Sequence, residues 1–166
     1  MKIICVYRIV LSILKKVMSV VLVIIVLLIA AMTGMFIKLA ADSRAMNVPS
    51  GLVDGSLRQC PASPNCVSSE APADDSHYIA PIADADGSRW ATLVATVGAM
   101  AGAELVTAGD NYAHFTFSTP LLGFVDDVEF HHQPARQAIA VRSASRVGYG
   151  DMNTNRKRID AIRAAL

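Results

Sequence analysis

The stretch Val17–Ile37, VMSVVLVIIVLLIAAMTGMFI, carries no charge. At about 1.5 Å of rise per residue it forms a helix roughly as long as the hydrocarbon core of a bilayer is thick, about 30 Å. Such a chain divides into an anchor in lipid and whatever the remaining residues build beside it. The division read here is a basic cytoplasmic segment at 1–16, a transmembrane helix at 17–37, a linker at 38–58 and an extracytoplasmic domain at 59–166. Lys2, Arg8, Lys15 and Lys16 precede the apolar run and only Lys38 and Arg44 follow it closely. The side richer in Lys and Arg stays in the cytoplasm, which predicts a single-pass protein of the inner membrane with its C-terminal domain in the periplasm. A cleaved signal peptide ending at Leu39-Ala40-Ala41 is the competing reading, but such peptides have apolar cores of only about 7 to 15 residues. Ala30 and Gly34 have the spacing at which small residues let two membrane helices approach.

The 53% hydrophobic content is densest in that N-terminal part, and the remainder is long enough for one domain with its own core. Net charge is +1, so no dense basic face is expected and nucleic acid is set aside as a partner. Ala40–Gln59 reads as a tether, since Pro49, Gly51 and Gly55 interrupt any periodicity and its apolar residues are sparse.

Cys60 and Cys66 follow, in CPASPNCVSS. In an oxidising compartment neighbouring cysteines tend to pair, so a structural disulfide is expected. Unpaired thiols and a metal site are the other readings. The five-residue spacing fits no structural zinc pair, and no second pair completes four ligands. Cys5, on the other side of the apolar run, reads as a free thiol, with palmitoylation as its alternative.

Beyond Gly87, helical periodicity returns. Ser88 is placed to cap a helix carrying Trp90, Leu93, Val94, Val97 and Ala101 on one face, with Gly102 to end it. The period then becomes two. Strands are predicted near Glu104–Thr107, Tyr112–Ser118, Phe124–His132 and Gln137–Ser145, separated by turn residues. Asn153 or Thr154 can cap a last helix in which Ile159, Ile162 and Leu166 share a face. The fold class is α+β: a two-layer sandwich of a four-stranded antiparallel sheet with two helices on one face. Alternation puts Phe115, Phe117, Val128, Phe130, Ile139 and Val141 on the covered face. His114, Thr116, Asp127, Glu129, His131, Arg142 and Arg146 fall on the other, which reads as charged and solvated.

Three motifs occur in order: Cys60–Ser69 (CPASPNCVSS), Phe124–Phe130 (FVDDVEF) and Arg142–Ile159 (RSASRVGYGDMNTNRKRI). With them, roughly Pro49–Leu166 resembles the family called domain of unknown function 1499. The resemblance implies an extracytoplasmic or membrane-associated domain and supplies no catalytic residue.

Arg156, Lys157 and Arg158 sit in the first turn of the last helix, where the macrodipole disfavours cations by about 0.3 to 1 kcal/mol each. Two explanations follow. Asp126, Asp127 and Asp151 neutralise them internally; or Arg142, Arg146, Arg156 and Arg158, beside Asp127, converge on an anionic lipid, phosphate or carboxylate. A metal on His114, His131, Asp127 and Glu129 is weighed against plain surface histidines, which are commoner, and no cofactor is expected. Ser143 and Ser145 near His and Asp invite a hydrolase reading, but no G-x-S-x-G elbow is present. The apolar turn Pro120–Phe124 is expected to tuck onto the core rather than dip toward a membrane. The functional expectation is a binding or scaffold module of the cell envelope, in contact with the bilayer and with an anionic lipid or envelope protein. An envelope enzyme is the alternative.

Overall fold

The computed structural model describes residues 2–166, with side chains described for Arg8 and from Leu11 onward. Cys5 and Lys2 have side chains outside the described residues. The chain forms two compact units, residues 1–38 and 39–166.

One helix, α1 (Lys2–Ala45), supplies the first unit and reaches into the second. Its stretch Leu11–Ala45 is long and apolar enough to cross a membrane, and its large apolar side chains between Leu11 and Ile37 are exposed. A soluble core helix would bury them. Helix continues past Ile37 because Lys38–Ala45, KLAADSRA, holds no Gly or Pro and is rich in strong helix formers.

The second unit is α+β. Among the described residues its sheet has six strands, two more than predicted: β1 (Cys66–Ser68), β2 (Ile82–Ala83), β3 (Ala103–Ala108), β4 (Tyr112–Ser118), β5 (Val125–Gln133) and β6 (Ala138–Ser145). β3, β4, β5 and β6 form the expected antiparallel meander, while β1 and β2 both pair along the free edge of β6. Strands of two or three residues are too short to show a period, which is why alternation could not reveal them.

One face of the sheet carries the core. Phe115, Phe117, Val128, Phe130, Ile139 and Val141 pack there with Leu93 and Val97 of α2 (Arg89–Gly98) and with Ile159 and Ile162 of α3 (Thr154–Ala164). Phe115 and Phe130 meet edge to face, with ring centroids 6.2 Å apart, a favoured aromatic geometry.

The helix starts differ from expectation. Ser88 makes no side-chain cap; its hydroxyl donates to Asp86, and the buried Asp84 carboxylate accepts the Arg89 N–H at 3.0 Å instead. Likewise Asn153 does not cap α3. Asp151 does, accepting the N–H groups of Asn153 and Asn155. Both caps sit farther upstream than the usual position, because loop geometry decides which acceptor reaches the orphan donors.

The stretch read as a tether is structured. Ala40, Ser43 and Leu57 are buried in the second unit. The Ser43 hydroxyl accepts the Val125 N–H at 2.8 Å and donates to the Val125 carbonyl at 3.3 Å. The inward residues are small or polar, so they leave no hydrophobic pattern, and the segment is held by hydrogen bonds instead.

Candidate functional site

The sheet face opposite the core holds the predicted set, in register. His114 lies opposite Glu129, Thr116 opposite Asp127, and Glu129 opposite Arg142. The face is not solvated, contrary to the reading from alternation. His114, Asp127, Glu129 and Arg142 are all buried. Residues 43–58 run over them as a strap, and polar groups from both sides satisfy one another.

Two clusters result. In the first, the fully buried Glu129 accepts from Arg142 Nη1 at 2.8 Å, the Tyr112 hydroxyl at 2.7 Å and Arg58 Nη2 of the strap at 3.3 Å. Burial pushes the Tyr112 hydroxyl pKa up, the facing Gly51 N–H opposes this, and the Glu129 carboxylate adds to it. In the second, the Asp127 carboxylate takes two hydrogen bonds from Arg146, both 2.9 Å, and one from His114 Nε2 at 2.8 Å. Burial alone would raise the Asp127 pKa; the bonds from His114 and Arg146 outweigh it and hold the carboxyl below its ordinary value. Arg146 also donates to the Met46 carbonyl at 2.8 Å. With Nε2 donating to Asp127, Nδ1 of a neutral imidazole is an acceptor, and the Ser50 Oγ lies 2.6 Å from it.

Ser50, His114 and Asp127 thus form a hydroxyl–imidazole–carboxylate chain. Nucleophile, base and orienting acid occur in this order in serine hydrolases. Nothing in Pro49-Ser50-Gly51 marks a nucleophile; only register and the strap bring Ser50 to His114.

The four arginines proposed to share an anion do not converge. Arg142 and Arg146 lie on the strap face. Arg156 and Arg158 belong to α3, across the sheet. Arg156 donates to the Ser76 and Tyr78 carbonyls at 3.1 and 2.9 Å. Arg158 pairs with Asp126, donates to Asn155 Oδ1 at 2.7 Å and lies over the Phe117 ring. Asp126 therefore compensates Arg158, while Arg156 and Lys157 rest on backbone carbonyls and Asp151 caps the backbone N–H groups. Ser143 and Ser145, read as hydrolase candidates, are hydrogen-bonded to the buried Asn155, which also donates to the Asn65 carbonyl and Asp151. Asn155 lies inside the Arg142–Ile159 motif, but no spacing marks it as a structural tie. It ties α3 to β6 and to the loop that holds the two cysteines.

Cys60 and Cys66 are joined by a disulfide, with Cα atoms 5.7 Å apart. Beside it lies a cleft of about 570 Å³, lined in part by Arg58, Gln59, Pro61, Glu70, Pro72 and His77. Among the described residues no group of three or more His, Cys, Asp or Glu is placed to hold a metal. His132, on the core face, stacks on Trp90 with ring centroids 5.4 Å apart. Its Nε2 is 3.0 Å from Asp84 Oδ2, an ion-pair distance without hydrogen-bond alignment.

A family model described as protein of unknown function (DUF1499) matches residues 56–166. The chain belongs to the DUF1499 family. The matched segment of this DUF1499 chain contains the sheet, both sandwich helices and the disulfide, as well as His114, Asp127, Glu129 and the four arginines. Ser43, Arg44 and Ser50 precede it, so in this DUF1499 protein the first part of the strap comes from outside the family segment. No curated protein and no solved structure matches the chain.

Proposed function

We propose that this DUF1499 protein is a single-pass, membrane-anchored binding module of the cell envelope, with its N-terminus cytoplasmic and residues 39–166 on the periplasmic side. The observation that carries this reading is the exposed apolar surface of α1 from Leu11 to Ile37, which water would penalise at roughly 25 cal/mol per Å². Basic residues before the span and a disulfide after it agree with the orientation. Buried ion pairs give the domain a fixed shape, and the cleft beside the disulfide is its concave surface for an envelope partner. Carbonate and high-salt washing of membranes, with a membrane-impermeant thiol label on single cysteines placed beyond residue 60 of the intact cell, tests it. The protein is expected to stay in the membrane and take up label. Release by salt, or no labelling, refutes the reading.

A second reading, an envelope hydrolase working from the polar sheet face, is favoured by the Ser50–His114–Asp127 chain. His114 is buried, and Arg146 shares the Asp127 carboxylate, so the geometry serves equally as a latch. A fluorophosphonate probe distinguishes the two. Labelling of Ser50 that disappears in His114→Asn supports hydrolysis; an unmodified Ser50 leaves the latch.

A further inference from the structure

The β4–β5 turn leaves Leu121 91% exposed, contrary to the expectation that it tucks onto the core. A contact with defined chemistry lies elsewhere, where His77 meets the disulfide loop.

His77 stands between two oxygens. Its Nδ1 lies 2.6 Å from Asp75 Oδ1, and its Nε2 lies 3.2 Å from the Ser63 carbonyl. The same Asp75 oxygen accepts the His77 backbone N–H at 2.8 Å. A carbonyl and an ionised carboxylate only accept, whereas a neutral imidazole has one N–H to give. The backbone and ring N–H groups of His77 hold the Asp75 carboxyl below its ordinary value, so it is ionised near neutral pH. Both ring contacts are therefore hydrogen bonds only when the imidazole carries two protons.

The two oxygens come from different segments of the cleft lining. Ser63 lies midway along the loop closed by the disulfide, which contributes Cys60, Pro61 and Ala62 to the cleft, and Asp75 and His77 contribute from the other segment. His77 is fixed at its backbone, where its carbonyl accepts the Ser68 N–H of β1 at 2.9 Å. The ring also borders a smaller hollow of about 190 Å³. Of its two bonds, the one to Asp75 is shorter and charge-assisted, so a neutral ring keeps its proton on Nδ1. The bare Nε2 then faces the Ser63 oxygen lone pair to lone pair, and that contact is lost.

Charged groups around the ring act in both directions. Asp75, Glu70 in the cleft and Asp151 in the smaller hollow favour a second proton. Arg58 in the cleft opposes it, as does Arg156, which donates to the Ser76 and Tyr78 carbonyls on either side of His77.

We propose that His77 is a proton-operated clip: doubly protonated, it ties the disulfide loop to the segment of residues 75–79 and holds the cleft in shape; neutral, it releases Ser63 and frees the loop. This rests on the reading of that cleft as the surface for an envelope partner, and it makes access to the cleft follow the pH of the compartment. Imidazole is the side chain suited to such a device, since it ordinarily changes charge between about pH 5 and pH 8.

The test uses the full chain in detergent micelles with ¹⁵N-labelled histidine, the His77 resonances being those absent from His77→Ala. A second readout is the rate at which a water-soluble phosphine reduces the Cys60–Cys66 bond. Dividing the wild-type rate by that of His77→Ala at the same pH cancels the reagent's own pH dependence. Wild type is expected to be reduced about fivefold more slowly than the variant at acid pH, the equivalent of one net hydrogen bond, and at the same rate at alkaline pH. Loss of the second ring proton and loss of this protection should share one midpoint. Asp75→Asn, which leaves the ring in place, should move both midpoints together to lower pH, and it carries the comparison without His77→Ala. A rate ratio equal at both pH values, or a ring that titrates with no change in reduction rate, overturns the clip. Carbonate-extractable protein that keeps the shared midpoint overturns the anchored reading and leaves the clip standing.

Discussion

The Ser50 hydroxyl oxygen lies 2.6 Å from Nδ1 of His114, a ring that is wholly buried although its strand places it on the polar side of the sheet. A side chain from the strap thus completes the hydrogen bonding of an imidazole presented by β4, and the strap behaves as part of the fold. In Ser50→Ala the ring nitrogen loses its partner. A destabilisation of about 1 to 3 kcal/mol is expected in urea denaturation followed by near-ultraviolet circular dichroism. A change under a few tenths of a kcal/mol would show that the strap is not held there.

Asp127 gives the acid limb of stability a defined sign. Its folded pKa lies below the unfolded value of about 3.9, so its contribution is fully present above that value and is lost as pH falls through the folded one. Stability measured between pH 6 and pH 2, a window of about four units around the carboxylate range, should fall less steeply in Asp127→Asn than in wild type. Parallel curves would remove Asp127 from the account.

Arg142 and Glu129 form a buried pair at 2.8 Å, and truncating one member leaves the other charged and partly unmatched. Arg142→Met should cost about 3 kcal/mol, and Glu129→Leu combined with it should recover part of that loss. Additive costs from a double-mutant cycle would contradict the coupling.

Replacing both Cys60 and Cys66 with Ser opens a short loop containing Pro61 and Pro64. The chain-entropy model predicts a loss of about 2 kcal/mol, reduced because proline already restricts the unfolded loop. Thermal melts with and without reductant should shift wild type downward and leave the double variant unmoved.

The arginines show where sequence reading stops. Alternation sorted the two faces of the meander correctly from Phe115 to Val141, since a period of two is a local property and the core selects it. It could not say what covers the polar face, because Ser50, Arg58 and Met46 reach His114, Glu129 and Arg146 across long separations through hydrogen bonds that leave no periodic trace. Nor could it assign Arg158 to Asp126 and Arg142 to Glu129 rather than all four guanidinium groups to one anion. That needs the positions of α3 and the strap on opposite sides of one sheet.

By itself the sequence determined the apolar helix, the core-facing residues of β4, β5 and β6, and the two sandwich helices, because each is written in hydrophobic spacing over a few turns or strand residues. Only the tertiary structure decided that residues 43–58 bury the charged face, that Asp84 and Asp151 cap α2 and α3, and that Leu121 points into solvent. Those outcomes depend on which polar groups can reach one another once burial has made an unpaired one costly, and that is a property of the assembled fold.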